Sequence, residues 1–338
     1  MSLLQNLSEK YKTLSIVGMA KNAGKTTALN YIIEDAMDEG MILGITSTGR
    51  DGETIDLVTG TEKPKVFLDV DTIVSVPTQL YDLADAGLEI IRMTKFSTSL
   101  GQILLCRVVE SGYVQIAGPV ITNDHKMMCR DMFELGAEMI IIDGAINRKS
   151  IAEPTTSDAI ILATGAVLSR SLKKIVEMTV HVVEMYGLPC LEHGQARTLI
   201  TENMQDDKIM LIKNGDVHKL DLITGFGESS YLDQEIDDDM QYVYIVGAFT
   251  NSVIADIHPK KLKNITFVLK DPTRIFIDAT TWQQLRKKGL KVEVLENIEV
   301  AAVTVNPHAP SGYAFEHNEL LDAIEKAIPD IPVLDVMI

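Results

Sequence analysis

The residues best suited to chemistry lie in one short stretch, GMAKNAGKTT, from Gly18 to Thr27. Two glycines, two lysines and two hydroxyl side chains stand between an apolar run and a helical pattern. That composition suits a loop whose backbone N–H groups and following helix N-terminus face phosphate oxygens. Lys25 would neutralise the outer phosphates, and the Thr26 hydroxyl would join a Mg²⁺ shell. Gly18, Lys21, Asn22, Ala23, Gly24 and Thr27 would complete the nucleotide cradle. Five residues separate Gly18 from Gly24, one more than the commonest spacing of such loops. The plain alternative is a glycine-bearing turn with a chance Lys-Thr pair. Against it, TLSIVG (13–18) reads as a buried strand directly before the loop, and KTTALNYIIEDAMDEG as a helix directly after it.

A second carboxyl-bearing feature is Asp143, which ends the apolar run EMIIID. A strand-end aspartate can hold Mg²⁺ directly or through water; otherwise it is an ordinary surface carboxylate. Arg50, Asp51 and Asp56 follow the strand MILGITS in the polar segment TGRDGETIDLVTGTEKP, on the side where open α/β sheets bind ligands. Asp51 is a candidate second metal ligand or water-positioning group, and Arg50 a candidate phosphate or substrate contact. Equally, they form a polar turn, and Glu53 belongs to solvent. Arg148 and Lys149 could neutralise phosphate or grip a partner, or simply line a solvated loop. NPHAPSGYAFEH (306–317) is either a rigid connector or the wall of a pocket. Lys25, Asp143 and Asp51 are thus the catalytic candidates, with Thr26, Asp143 and Asp51 as the metal set.

Other chemistries lack their signatures. No GxSxG elbow and no GxGxxG after a strand is present, so hydrolase-triad and dinucleotide readings have no starting point. Seven histidines show neither HxxxH nor HExxH spacing. Cys106, Cys129 and Cys190 are isolated and odd in number, which predicts neither a zinc site nor a disulfide framework and fits a cytoplasmic protein. Cys106 lies inside an apolar strand and reads as a core thiol. A net charge of −17 argues against nucleic-acid binding. The start of the chain lacks the pattern of a signal peptide, and no apolar run is long enough to cross a membrane. The acidic stretch DQEIDDDM (233–240) is a solvated linker or a site for a cation or basic partner.

The elements that must position these residues alternate. Runs at 138–145 and 158–165 are continuously apolar, as parallel strands covered on both faces require. Strands are also expected at TIVSVP, QILLCRVV and YVQIAGP, with helices at 123–135 and 169–187. Asn214-Gly215 joins two apolar-patterned arms, a hairpin signal. Past it, YVYIVGAF, NITFVLKD, RIFIDA, KVEVLE and VAAVTVN alternate with a helix near 282–288. The fold class is therefore α/β. A phosphate-loop domain with a mostly parallel, helix-flanked sheet is expected over 1–187. A connecting segment with the hairpin covers 188–240, and a smaller α/β domain 241–338; a chain of 338 residues accommodates two domains.

The loop spacing resembles that of dethiobiotin synthetase and its relatives in the SIMIBI class of P-loop NTPases. IIDGA (141–145) and AIILATGAVLSRSLKKIVEMT fit the same resemblance, which covers roughly 12–186. Lys21 is one residue away from the signature lysine of the MinD-like branch. STGRDGE (47–53) replaces the Lys-Pro of the synthetase, which separates the chain from its substrate. No Asn-Lys-x-Asp guanine motif is found, so the expected cofactors are ATP and Mg²⁺. As a whole, the chain resembles the P-loop subunit of reactivating factors for cobalamin-dependent lysine or ornithine aminomutases. The segments that carry this are TSTGRDGETIDLVTGTEKPK, IIDGAINRKSIAEPTTSDAIILATGA and NPHAPSGYAFEHNELLDAIEKAIPDIPVLDV. That resemblance implies an ATP-driven accessory protein acting with a MutS-like partner subunit on an aminomutase client. A second copy of the chain is a further candidate partner. Competing readings are an ATP-dependent ligase or kinase of a small metabolite, and a nucleotide-gated binding module that does not hydrolyse.

Overall fold

The computed structural model describes residues 3–48, 65–119, 121–144, 157–204, 208–220 and 228–336. In chain order the elements begin with α1 (Leu3–Lys10), β1 (Thr13–Gly18), α2 (Lys25–Glu39), β2 (Leu43–Ser47), β3 (Val66–Leu68) and β4 (Ile73–Pro77). Next come α3 (Thr78–Tyr81), β5 (Gly87–Thr98), β6 (Gly101–Glu110), β7 (Gly112–Val114), α4 (Thr122–Glu134), β8 (Met139–Asp143) and β9 (Ala159–Gly165). They continue as α5 (Leu172–Tyr186), α6 (Gln195–Asn203), β10 (Ile209–Lys213), β11 (Asp216–Leu220), α7 (Glu228–Glu235) and β12 (Tyr242–Ile245). The last are α8 (Asn251–Ile254), α9 (Pro259–Asn264), β13 (Thr266–Leu269), α10 (Ala279–Lys288), β14 (Lys291–Val294), β15 (Val300–Asn306), α11 (His317–Ala327) and β16 (Val333–Asp335).

The chain divides into two compact units, 1–179 with 299–338 and 180–298, the division falling inside α5. The first unit is built on a nine-stranded sheet ordered β16-β15-β9-β1-β8-β2-β4-β6-β5. From β16 to β4 every pairing is parallel; β6 and β5 close one edge as an antiparallel hairpin. The central strands are apolar on both faces because helices cover both. Ile140, Ile141 and Ile142 of β8 are fully buried and alternate between two separate cores. Each such side chain contributes about 1.5–3 kcal/mol of burial. The α2 stripe of Ala28, Leu29, Ile32, Ile33 and Ala36 packs into one of those cores, and the helix stops at Gly40 as its pattern requires.

The second unit carries a five-stranded sheet, β11-β10-β12-β13-β14, with β12, β13 and β14 parallel. The β10–β11 hairpin turns at Asn214 (φ 50) and Gly215 (φ 89), the left-handed pair a two-residue hairpin needs. Its core holds Phe249 and Phe267, with ring centroids 5.3 Å apart, and the buried Trp282.

The domain boundaries expected from sequence are corrected here. Residues 241–338 are not one domain. β15 pairs with β9 and β16 with β15, so the chain after residue 298 returns to the large sheet. The apolar strand VAAVTVN needed cover on both faces, and the place beside β9 supplies it. Nor is 188–240 a connector, since its hairpin belongs to the second unit's sheet. Only Gly112–Val114 of the YVQIAGP region is a strand, paired with β3 in a separate two-stranded ribbon. RIFIDA contributes one isolated bridge, Ile275 to Phe249, rather than a strand.

The acidic stretch meets the chain's own lysines. Asp237 and Asp239 approach Lys213 at 2.7 and 3.2 Å, Asp238 lies 3.5 Å from Lys260, and Asp233 lies 3.4 Å from Lys261. These exposed pairs contribute little stability, but they account for the run without an external cation. No described helix is long and apolar enough to cross a membrane.

Candidate phosphate-binding site

β1 delivers Gly18 to the carboxyl end of the sheet between β8 and β9, with Gly18 in register with Ala163 of β9. The Met19 N–H donates to the Ala163 carbonyl at 2.9 Å, which anchors the start of the loop. Asn22 is left-handed at φ 63, a conformation asparagine tolerates better than most residues. Ala23 is buried against the molecule. Gly24, at φ 100 and ψ 17, is the N-cap of α2, and Lys25, Thr26 and Thr27 form the helix's first turn. All the loop residues expected from sequence are therefore brought together at a strand–loop–helix junction.

Two features of this junction suit an anion. The 15-residue α2 has no side-chain cap and no acidic residue in its first turn. Its first N–H groups lack intrahelical acceptors, and the helix dipole concentrates positive potential there. Lys25 adds a cation at a position where a dipole alone would disfavour one. Its stem folds back over Gly18: a Cβ at that glycine would lie 3.0 Å from Lys25 Cγ and 3.1 Å from Cδ. Burial lowers the Lys25 pKa, and the nearby charge of Asp143 partly restores it.

Asp143 ends β8 in register with Ile16 of β1 and Ser47 of β2. It is partly buried, and its backbone carbonyl accepts from the Thr48 N–H at 3.1 Å. The strand-end carboxylate, the lysine and the Thr26 hydroxyl thus belong to neighbouring elements at one end of the sheet. Hard oxygen donors of this kind, with space left for phosphate oxygens, are the set Mg²⁺ uses. Among the described residues no group of three or more His, Cys, Asp or Glu forms a protein-only metal cluster. The fit is to a metal shared with a phosphate ligand. Arg50, Asp51, Glu53, Asp56, Arg148 and Lys149 lie outside the described residues.

One residue that the sequence named only as the start of the 306–317 segment is Asn306, the last of β15, in register with Gly165 of β9. A Cβ on Gly24 would lie 3.0 Å from the Asn306 Cβ, so the loop glycine and this side chain are in close contact. Asn306 Oδ1 accepts from the His308 N–H at 2.9 Å, which fixes its side chain and opens the segment that follows. There Tyr313 and Phe315 stack edge to face, with centroids 5.1 Å apart. The Arg170 guanidinium lies 5.7 Å from the Tyr313 ring, and the Tyr313 hydroxyl donates to the Arg170 carbonyl at 3.2 Å. Of the two readings of 306–317, a wall at the carboxyl end of the sheet fits better than a bare connector. The signal available was the strand-ending Asn-Pro-His, whose neighbour could be known only from the sheet order.

A residue missed in the sequence is His125 in the first turn of α4, with 1% of its surface exposed. It lies against Gly118 and the end of β2. The backbone at Ser47 and Pro119 favours its proton, but neither contact meets hydrogen-bond geometry, and burial dominates, pushing its pKa down to about 4. Cys106 and Cys129 are buried, and burial raises both thiols to about 12, which fits core packing rather than nucleophilic chemistry.

Compared with protein-family models, curated proteins and solved structures, the chain matches none.

Proposed function

We propose that the first unit binds ATP with Mg²⁺ at the Gly18–Thr27 loop and hydrolyses it. The observation that carries this reading is the uncapped N-terminus of α2, with the half-buried Lys25 folded over Gly18 and Asp143 close enough to act on its charge. The loop N–H groups and Lys25 hold the β- and γ-phosphates and stabilise the charge that develops as the terminal phosphate departs. Thr26 and Asp143 are the residues that would hold Mg²⁺, which when bound supplies charge neutralisation across the phosphates. Asp51 and Arg50 are retained as candidates for a second metal contact and a phosphate contact. The Asn306 amide beside Gly24 and the aromatic pair beyond it supply a polar group and an apolar surface for the rest of the nucleotide.

The use of the hydrolysis rests on the whole-chain resemblance to aminomutase reactivating factors. In that role the protein couples ATP turnover, together with a MutS-like partner subunit, to exchange of damaged cofactor on a cobalamin-dependent aminomutase. Steady-state ATP hydrolysis with Mg²⁺ tests both levels, measured alone and with the aminomutase and MutS-like protein added. Stimulation by those proteins supports the reactivating role. ATP binding without stimulation removes it and directs the search to small carboxylates and amines as substrates of a ligase or kinase. Absence of ATP binding overturns the nucleotide reading itself.

A further inference from the structure

The β3–β7 ribbon has one face in the core and one in solvent. Val66, Leu68 and Val114 point inward and are buried, while Phe67 and Tyr113, opposite each other in register, are 40% and 50% exposed. Their rings stack edge to face with centroids 5.3 Å apart, so the two aromatics form one preformed apolar surface. Three more exposed apolar side chains belong to the neighbouring chain segments, Val70 and Leu83 in the adjoining turns and Val109 near the end of β6. Those turns are tied to the ribbon and to β6: Asp71 N–H donates to the Val108 carbonyl and Asp85 N–H to the Tyr113 carbonyl, both at 2.9 Å. A rigid exposed aromatic pair with aliphatic neighbours is the composition of an interface centre.

The rim is acidic. Asp69, Asp71, Asp82, Asp85 and Glu110 belong to the same turns and strand ends. Among the described residues, the cations Lys65 and Arg107 already face Asp85 at 2.9 Å and Asp71 at 3.6 Å. That charge disfavours three occupants by repulsion: nucleic acid, an anionic membrane surface, and a second copy of this chain presenting the same rim.

We propose that the outer face of the β3–β7 ribbon is a docking surface for a different protein, one whose contact face has an apolar pocket ringed by lysines or arginines. Phe67 and Tyr113 fill the pocket, and the acidic rim sets orientation and on-rate. The surface does not depend on the nucleotide reading.

The test is site-directed cross-linking in the full-length chain. Benzoylphenylalanine at position 113, irradiated in extract of the source organism, is expected to give a discrete heteroadduct. The adducted protein, identified by mass spectrometry and purified, is then titrated against wild type, Tyr113→Ser and the double variant Asp82→Lys/Glu110→Lys. Circular dichroism first establishes that each variant is folded. At least a tenfold loss of affinity in both variants, with wild-type binding weakening as salt rises, supports the proposal. Four outcomes overturn it: an adduct of twice the chain's own mass, an adduct with nucleic acid, no adduct, or an affinity unchanged in either variant.

Discussion

At the scale of single residues, the candidate phosphate site is defined by a cation in an unfavourable place. Lys25 stands at the positive end of a 15-residue helix, and burial lowers its pKa. Asp143 offsets part of that cost, and a bound phosphate would offset the remainder. Charge-assisted hydrogen bonds contribute about 1.5–3 kcal/mol each. Lys25→Ala is therefore expected to weaken Mg-ATP binding about 100-fold or more; calorimetry giving wild-type affinity would remove the loop assignment. Asp143→Ala should act differently, leaving ATP bound with an affinity nearly the same with and without Mg²⁺. If the ratio of those two affinities stayed at its wild-type value, Asp143 would not be the metal ligand. Gly24 carries a backbone constraint of its own. Its φ of 100 belongs to glycine, and an added Cβ would meet the Asn306 Cβ at 3.0 Å. Gly24→Ala should destabilise the first unit by about 1–2 kcal/mol, read as a lower urea midpoint with unchanged slope.

At the scale of elements, His125 shows how one side chain ties a helix to a strand end. The first turn of α4 buries it at the end of β2, where its pKa falls to about 4 against an ordinary 6.5. Below pH 6.5 the unfolded chain takes a proton that the folded chain refuses, so stability falls with pH down to about 4 and is unaffected above 7. The shift corresponds to about 3 kcal/mol. Urea midpoints measured from pH 7 to 4 should fall for the wild type and fall less steeply for His125→Gln; equal slopes would place the acid sensitivity elsewhere. The helix α4 and the strands β1, β2, β4, β6, β8 and β9 were legible in sequence because their apolar periods were long and unbroken. The antiparallel β5 was not, since Glu89, Arg92 and Lys95 interrupt GLEIIRMTKFST as an edge strand allows. The loop was legible for a related reason: Gly18, Gly24, Lys25 and Thr26 are contiguous, whereas Asn306 reaches Gly24 only through the β9–β15 pairing. Local chemistry could be read along the chain, and chemistry assembled across strands could not.

At the scale of the whole molecule, the second unit is an insertion in the first. The chain leaves the large sheet after β9, builds residues 180–298 around a separate aromatic core, and returns as β15. Reading domains as consecutive segments missed this, because the strand patterns before and after residue 298 are alike in composition and differ only in their partners. The insertion provides a built-in reporter. The single tryptophan, Trp282, is buried in the second unit, while the Gly18–Thr27 loop lies in the first. Mg-ATP at 100 times its dissociation constant should stabilise the first unit by about 2.7 kcal/mol, or roughly 5–10 °C for a unit of this size. In paired thermal melts, the main far-ultraviolet dichroism transition should move up by that amount, while the Trp282 fluorescence midpoint stays where it was. Separate cores unfold separately, and a ligand stabilises only the core it binds. Equal shifts in both signals would contradict it. They would show that the energy of nucleotide binding reaches the inserted unit, which then has to be treated as part of one cooperative body with the site.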